Sequence, residues 1–297
     1  MTTELEQIDA IPRLAPRARD GHKGRYGTVL VIAGGRGMAG AAALCGASAL
    51  RSGAGLVRVA TSAEVQPVVA SFEPSYMTYP LPSGEDGLID FLGSRPTFER
   101  LVEPADVIAV GPGLGQSDDL RGLIRFLIDD VDRPLVLDAD ALNLIAGHAD
   151  WLKGRTKPVV LTPHPGEFAR LVGSDVAAVQ SDRLRHAAEL ARIADPVVVV
   201  LKGEGTIVTD GTHYYINTTG NPGMATGGAG DVLTGVIAAL IGQGLAAFEA
   251  ARLGVFAHGL AGDIARDHHG EIGMIAGDIV DSLPDAFVHL APDADEF

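Results

Sequence analysis

The segment Asn221 to Asp231 reads NPGMATGGAGD and runs directly into the apolar stretch Val232 to Leu240. A glycine-rich loop there delivers one carboxylate to the first turn of a helix. Gly227, Gly228 and Gly230 allow positive φ and close backbone approach. With Ala229 they form a candidate anion hole, since amides at a helix start point outward with the positive end of the macrodipole behind them. Asp231 then has two readings. It is either a favourable dipole partner in the first turn, or the general base that takes a proton from an attacking hydroxyl while the amides stabilise a transferring phosphoryl group. The second is kinase-like chemistry.

Other reactive residue types follow short apolar runs. Gly34-Gly35-Arg36-Gly37-Met38-Ala39-Gly40-Ala41 and Gly111-Pro112-Gly113-Leu114-Gly115 are glycine-rich turns that read equally as tight βα connections. Leu137 leads into Asp138-Ala139-Asp140-Ala141-Leu142-Asn143, where Asp140 can cap the next helix or stand near magnesium or substrate. Leu161 leads into Thr162-Pro163-His164-Pro165-Gly166-Glu167, whose two prolines fix the backbone around an exposed imidazole, so His164 is a candidate substrate contact. Glu167 suits the first turn of the helix that follows. In Lys202-Gly203-Glu204-Gly205-Thr206 the lysine can neutralise phosphate and the glycines let a nucleotide approach, although a solvated turn has the same composition. His22-Lys23-Gly24 carries the same ambiguity. His258, His268 and His269 lack metal-ligand spacing and receive no role; the spacing names no metal ligands.

These turns need a scaffold that brings them to one edge. Thr28 to Ala33, Leu56 to Thr61, Asp106 to Val110, Pro134 to Leu137, Pro158 to Leu161 and Pro196 to Leu201 read as buried strands. Ala41 to Arg51, Leu120 to Ile128, Ala141 to Ile145 and Ser181 to Ile193 read as helices between them, which gives the βαβ rhythm of a three-layer α/β fold with a mainly parallel sheet. Thr206 to Thr209 and His213 to Ile216 flank Asp210-Gly211, a hairpin signal that predicts an antiparallel edge. From Val232 the chain is almost wholly helical, with one helix ending near Gly242 and another from Ala246 to about Arg266. Residues 1 to 20 are expected to be a loosely held arm, 21 to 290 a single domain, and 291 to 297 an acidic tail.

Composition narrows the function class. Among 297 residues, 23 Lys+Arg stand against 38 Asp+Glu, a formal charge of -15 that disfavours nucleic acid and anionic membranes as partners. Aromatics at 5% leave little for base stacking, while 46% hydrophobic residues and 38 glycines suit a packed α/β enzyme with tight turns. The single Cys45 lies among small apolar residues and reads as core. No apolar run of about 18 residues and no secretory h-region is present, so a cytoplasmic location is expected.

Taken together, these motifs resemble the ribokinase-like superfamily, whose GAGD sequence matches Gly228 to Asp231. The ordered set HKGRYG (His22 to Gly27), GRGMAGAA (Gly35 to Ala42), RSGAGLV (Arg51 to Val57), GPGLG (Gly111 to Gly115), LDADALN (Leu137 to Asn143), LTPHPGE (Leu161 to Glu167), LKG (Leu201 to Gly203) and NPGMATGGAGD resembles the NAD(P)H-hydrate dehydratases over nearly the whole chain. That resemblance implies repair of the S-form hydrate of NADH or NADPH. ADP, or ATP in some members, would be consumed with Mg2+, and the products would be NAD(P)H, phosphate and AMP, or ADP if ATP is used. It places hydrate-binding positions on Ala41, Gly113, His164 and Asp231, and nucleotide-binding positions on Lys202, Gly203, Glu204, Gly205, Thr206 and Gly230. ADP is the expected co-substrate, a homo-oligomer, in particular a tetramer, the expected assembly, and a separate epimerase the expected partner for R-form hydrate. Two alternatives remain in view: a kinase of the same fold acting on a vitamin precursor such as hydroxymethylpyrimidine or hydroxyethylthiazole, against which LTPHPGE argues, and a nucleotide sensor, in which Asp231 has no use.

Overall fold

The computed structural model describes residues 5–291. In chain order its first half comprises β1 (Glu6–Gln7), β2 (Thr28–Ile32), α1 (Ala39–Arg51), β3 (Leu56–Ser62), α2 (Gln66–Phe72), β4 (Met77–Leu81), α3 (Phe91–Val102), β5 (Val107–Val110) and α4 (Asp118–Asp129). Then come β6 (Leu135–Leu137), α5 (Asp140–Leu144), β7 (Val159–Leu161), α6 (Pro165–Val172), α7 (Val176–Ser181) and α8 (Arg183–Ala191). The chain finishes with β8 (Val197–Leu201), β9 (Ile207–Thr209), β10 (His213–Ile216), α9 (Ala229–Gly242), α10 (Ala247–Gly273) and α11 (Ala276–Leu290).

All ten strands belong to one sheet, ordered β1-β10-β9-β8-β7-β6-β5-β2-β3-β4. Neighbours from β8 to β4 run parallel, whereas β9 is antiparallel to both β8 and β10, so the hairpin expected at Asp210-Gly211 turns where the sequence placed it. Strand residues alternate between two cores, as a period of two demands. In β2, Val29 and Val31 face α1, α9, α10 and α11, and Leu30 and Ile32 face the layer of α3, α4, α5, α6 and α8. A sheet buried on both faces therefore reads as continuous Val/Ile/Leu runs.

Helix α4 illustrates the local logic. Leu120, Leu123, Ile124, Leu127 and Ile128 are buried at helical spacing, and each is worth roughly 1.5 to 3 kcal/mol of apolar burial. Ser117 accepts from the Leu120 amide at 3.1 Å and caps the first turn.

Several elements depart from the sequence expectation. The predicted helix over Ser181 to Ile193 corresponds to α8, which starts only at Arg183 because Asp182 leaves helical geometry and its carboxylate accepts from the Arg185 amide at 3.2 Å, and the short α7 before it was not expected. Elements α2, β4 and α3 were not expected, since Pro80 lies in the edge strand β4 and Pro96 lies inside α3, whereas α6 is the helix expected at Glu167. Helix α10 runs on past Arg266 to Gly273, with a break in geometry at Gly270. The amino-terminal arm is not loose over its described part. Strand β1 pairs with β10, Ile8 N donates to Tyr214 O at 2.8 Å, Arg252 Nη1 donates to Ala10 O at 2.7 Å, and Ile11 and Leu14 pack on the core. All but the first residue of the expected acidic tail lies outside the described residues. Among the described residues no helix is long and apolar enough to cross a membrane.

Candidate active site

Strands β2 and β5 are neighbours, yet β2 continues to β3 on one side and β5 to β6 on the other. Such a switch point opens a crevice at the carboxyl ends of the strands. The loops after β2 and β5 meet there: Gly34 N donates to Pro112 O at 2.9 Å. A Cβ added to Gly113, whose φ is +57°, would lie 2.7 Å from Met38 Cβ and 3.0 Å from Ala41 Cβ. Gly113 and Ala41 are thus brought together, and only glycine allows the approach. Helix α1 begins at this loop without a side-chain cap, so its first amides also face the crevice.

The end of β6 forms the floor. Ala139 has φ +49°, the one described non-glycine residue with positive φ, a conformation that costs on the order of 1 to 3 kcal/mol and clusters at functional sites. This turn sends two carboxylates in different directions. Asp138 is buried, with Oδ1 2.8 Å from Lys202 Nζ and Oδ2 accepting from Thr234 Oγ1 at 2.7 Å. Asp140 accepts from Gly115 N at 2.8 Å and so ties the β5 loop in place. The capping role read from the sequence is not seen: the N-cap of α5 is Ala139, without a side-chain cap, and Asp140 lies in the first turn of the helix.

His164 is the N-cap of α6. Its Nδ1 accepts from Gly166 N at 3.0 Å and Glu167 N at 3.3 Å, and His164 N in turn donates to Glu167 Oε2 at 2.8 Å. A neutral ring used in this way carries its proton on Nε2. The side chain stays about half exposed at 51%, with Nε2 3.4 Å from Glu167 Oε1, so one imidazole both caps the helix and borders the crevice. Glu167 does more than complement a dipole: it is buried, and Oε2 lies 3.9 Å from Lys202 Nζ.

Lys202 ends β8 with its ammonium between Asp138 and Glu167. Burial works against that charge, but the two carboxylates outweigh it and hold the lysine above its ordinary range. Arg183 then fastens the loop that follows. Its Nη1 donates to Glu204 O at 2.5 Å, and its Nη2 donates to Leu201 O at 3.0 Å and Lys202 O at 3.2 Å. Gly203 and Gly205 have φ of +136° and +58° within this loop.

Helix α9 closes the site. Its N-cap is Gly228 at φ +93°, no side chain caps it, and a Cβ on Gly227 would meet nothing within 4 Å. Ala229 N donates to Thr226 O at 3.4 Å, and the glycine amides of this turn are open to an anion. Asp231 sits partly buried in that turn, and among the described residues its carboxylate has no hydrogen-bond or ion-pair partner. Burial and the neighbouring Asp138 push its pKa up to about 7, with Asp140 and Glu167 adding to the rise and Lys202 opposing it. A carboxyl group near neutrality, free of partners and beside open amides, is suited to taking a proton at physiological pH.

The described residues contain no group of three His, Cys, Asp or Glu placed to hold a metal. Asp138 and Asp140 are committed to protein donors. This donor set fits a magnesium ion that arrives with nucleotide phosphates and keeps most of its water, not a resident metal cage.

Two outcomes differ from the sequence reading. His22-Lys23-Gly24 lies at the amino end of β2, forming a turn at Lys23–Arg25 packed on Gly55, and so is a strand's length from the crevice. His258, to which the sequence assigned nothing, is buried against Ala229, with Nε2 lacking a partner and its pKa pushed by burial down to about 4. Thr234 and Arg183 were also missed. A hydroxyl in the otherwise apolar helix VLTGVIAALIG was the available signal for Thr234, whereas Arg183 looks like any surface arginine. Cys45 is core, as expected.

A family model described as NAD(P)H-hydrate dehydratase matches residues 29–285. The chain belongs to the NAD(P)H-hydrate dehydratase family. It is 39% identical over 272 residues to an ADP-dependent (S)-NAD(P)H-hydrate dehydratase of Neisseria meningitidis serogroup B, covering 89% of this chain and 86% of that protein. It is 47% identical over 274 residues, 92% of its own length, to a bifunctional NAD(P)H-hydrate repair enzyme of Moorella thermoacetica, of which it spans only 51%. The chain thus covers about half the length of several curated relatives it matches. Among solved structures it is similar to the ADP/ATP-dependent NAD(P)H-hydrate dehydratase of Bacillus subtilis co-crystallised with ATP/Mg2+, with a TM-score of 0.80, 32% identity, and coverage of 94% of this chain and 95% of that one. The dehydratase-family fold is ribokinase-like.

Proposed function

We propose that this chain dehydrates the S-form hydrate of NADH or NADPH at the expense of ADP or ATP. The observation that carries the reading is Asp231: a partner-free carboxyl group with a pKa of about 7 in the first turn of an uncapped helix, next to glycine amides.

The chemistry follows from what a hydroxyl needs in order to leave. Hydroxide is a poor leaving group; phosphate is a good one. Asp231 takes the proton of the ring hydroxyl as its oxygen attacks the terminal phosphoryl group of the nucleotide. The amides of Gly227, Gly228 and Gly230 receive the charge that develops on that group, and AMP departs, or ADP when ATP is used. The C–O bond then breaks with its electron pair on phosphate, driven by the ring nitrogen lone pair, and loss of a proton from the adjacent carbon restores the reduced nicotinamide. Magnesium supplies charge neutralisation on the phosphates when bound.

Ala41, Gly113 and His164 hold the hydrate in this reading, with the half-exposed His164 ring as its polar contact. The nucleotide runs along the backbone of the Lys202 to Thr206 loop and reaches Gly230. ADP is the proposed preference, in line with the ADP-dependent dehydratase of Neisseria meningitidis. An epimerase working alongside would convert R-form hydrate to the S-form that this site takes, and a homotetramer in the cytoplasm is the proposed setting. Incubating the protein with S-form hydrate, magnesium and ADP or ATP tests the function by recovery of reduced-nicotinamide absorbance. Failure with both nucleotides, in folded protein, contradicts it.

A further inference from the structure

A lysine that ends a strand at the edge of a nucleotide crevice invites assignment as a phosphate contact. The geometry of Lys202 points elsewhere. Its side chain is only 19% exposed, and its ammonium is 2.8 Å from Asp138 Oδ1 and 3.9 Å from Glu167 Oε2. Two carboxylates already oppose its one positive charge, so little of that charge is left to neutralise an incoming polyphosphate. Below the start of α9 the fit is close: a Cβ on Gly230 would lie 3.1 Å from Lys202 Nζ and 3.8 Å from Asp138 Oδ2. Thr234 completes the connection. Its Oγ1 donates to Asp138 Oδ2 at 2.7 Å and lies 3.2 Å from Gly230 O, so the ion pair is fastened to the turn that carries Asp231.

We propose that Lys202 is a positioning residue, whose ammonium, clamped by Asp138 beneath Gly230, keeps Asp231 ionisable instead of binding a nucleotide phosphate. The inference rests on Asp231 being the base of the proposed reaction. The groups facing Asp231 are Asp138 at the end of β6, Asp140 on α5, Glu167 on α6, Lys202 at the end of β8 and Cys45 on α1; His258 on α10 faces Lys202. Lys202 is the one cation among them. Without it, three carboxylates would press on a fourth, and the base would stay protonated at neutral pH. Asp138 has the opposite effect on Asp231, because it is the leading charge that holds the proton on.

This assignment makes two variants move one observable in opposite directions. The observable is the pH midpoint of turnover at saturating nucleotide and hydrate. Lys202→Met should raise it by about one pH unit, and Asp138→Asn should lower it by a comparable amount, since an opposite or like charge at close range shifts a carboxyl group on that scale. Circular dichroism establishes that each variant is folded. Lys202→Met leaves Asp138 buried without its cation and is the variant at greater risk of unfolding, so Asp138→Asn, which keeps the shape and can still accept from Thr234, carries the test alone if needed. A phosphate contact predicts a different pattern: Lys202→Met raises the nucleotide KM tenfold or more and leaves the midpoint in place. That pattern, or an unmoved midpoint in Asp138→Asn, overturns the proposal. Absence of turnover in the unmodified protein points instead to failure of the functional reading itself.

Discussion

Replacing Asp231 with asparagine separates catalysis from stability in a single variant. Asn keeps the size of the side chain and removes the base, so turnover should fall by roughly 10² to 10⁴-fold while nucleotide and hydrate affinity change little. The structure also predicts a stability effect. Asp231 rises from 3.8 in the unfolded chain to about 7 in the fold, chiefly through burial. Between those values the folded state binds the proton and the unfolded state does not, so stability falls as pH rises, by about 1.4 kcal/mol for each pH unit. The full penalty, about 4 kcal/mol as a ceiling, is present above pH 7 and absent below about pH 4. Asn carries no such penalty. Urea denaturation at pH 5, 6, 7 and 8 should therefore show the variant gaining on the unmodified protein as pH rises through that window. If Asp231 were only a helix-dipole partner, the substitution would instead cost about 1 kcal/mol or less at neutral pH and leave turnover nearly intact. Normal turnover combined with lower stability at pH 8 would refute the reasoning.

Further outcomes follow from the same geometry. Turnover of the unmodified protein should rise with pH through about 7, as Asp231 loses its proton, and a flat profile from pH 6 to 8 would contradict that role. Arg183→Met strips three loop carbonyls of their donor, so the nucleotide KM should rise more than kcat falls, with a stability loss of about 1 to 3 kcal/mol on denaturant titration. Thr234→Val leaves Asp138 Oδ2 buried without its donor and should cost about 1 to 3 kcal/mol, read from the denaturation midpoint. Gly113→Ala forces a methyl group to within 2.7 Å of Met38 Cβ at a φ of +57°, and hydrate binding should be lost before nucleotide binding, as isothermal titration of each ligand would show.

Much of the scaffold was legible because its signals are local. Continuous apolar runs such as Pro196 to Leu201 mark strands covered on both faces, and Asp210-Gly211 marks the turn between β9 and β10. Elements containing proline, β4 with Pro80 and α3 with Pro96, were lost to the same local rules, because an edge strand tolerates a missing donor and packing can hold a helix across a poor residue. At the site, residue types and their clustering at strand ends could be read directly. Partner choice could not. That Lys202 spends its charge on Asp138, that Thr234 reaches the same carboxylate, and that Arg183 clamps the β8 loop all depend on residues 18 to 96 positions apart in the chain. His164 combines both cases: its exposure was anticipated from the flanking prolines, while its use of Nδ1 as a helix cap emerges only when α6 is seen to start at Pro165.

The account stands most directly on the products of a single reaction. Unmodified protein with S-form NAD(P)H hydrate, magnesium and ADP should yield NAD(P)H, inorganic phosphate and AMP in equal amounts, with ADP replacing AMP when ATP is supplied. A stable phosphorylated hydrate without phosphate release would mark a kinase, and no consumption of hydrate with either nucleotide would contradict the proposed reaction altogether.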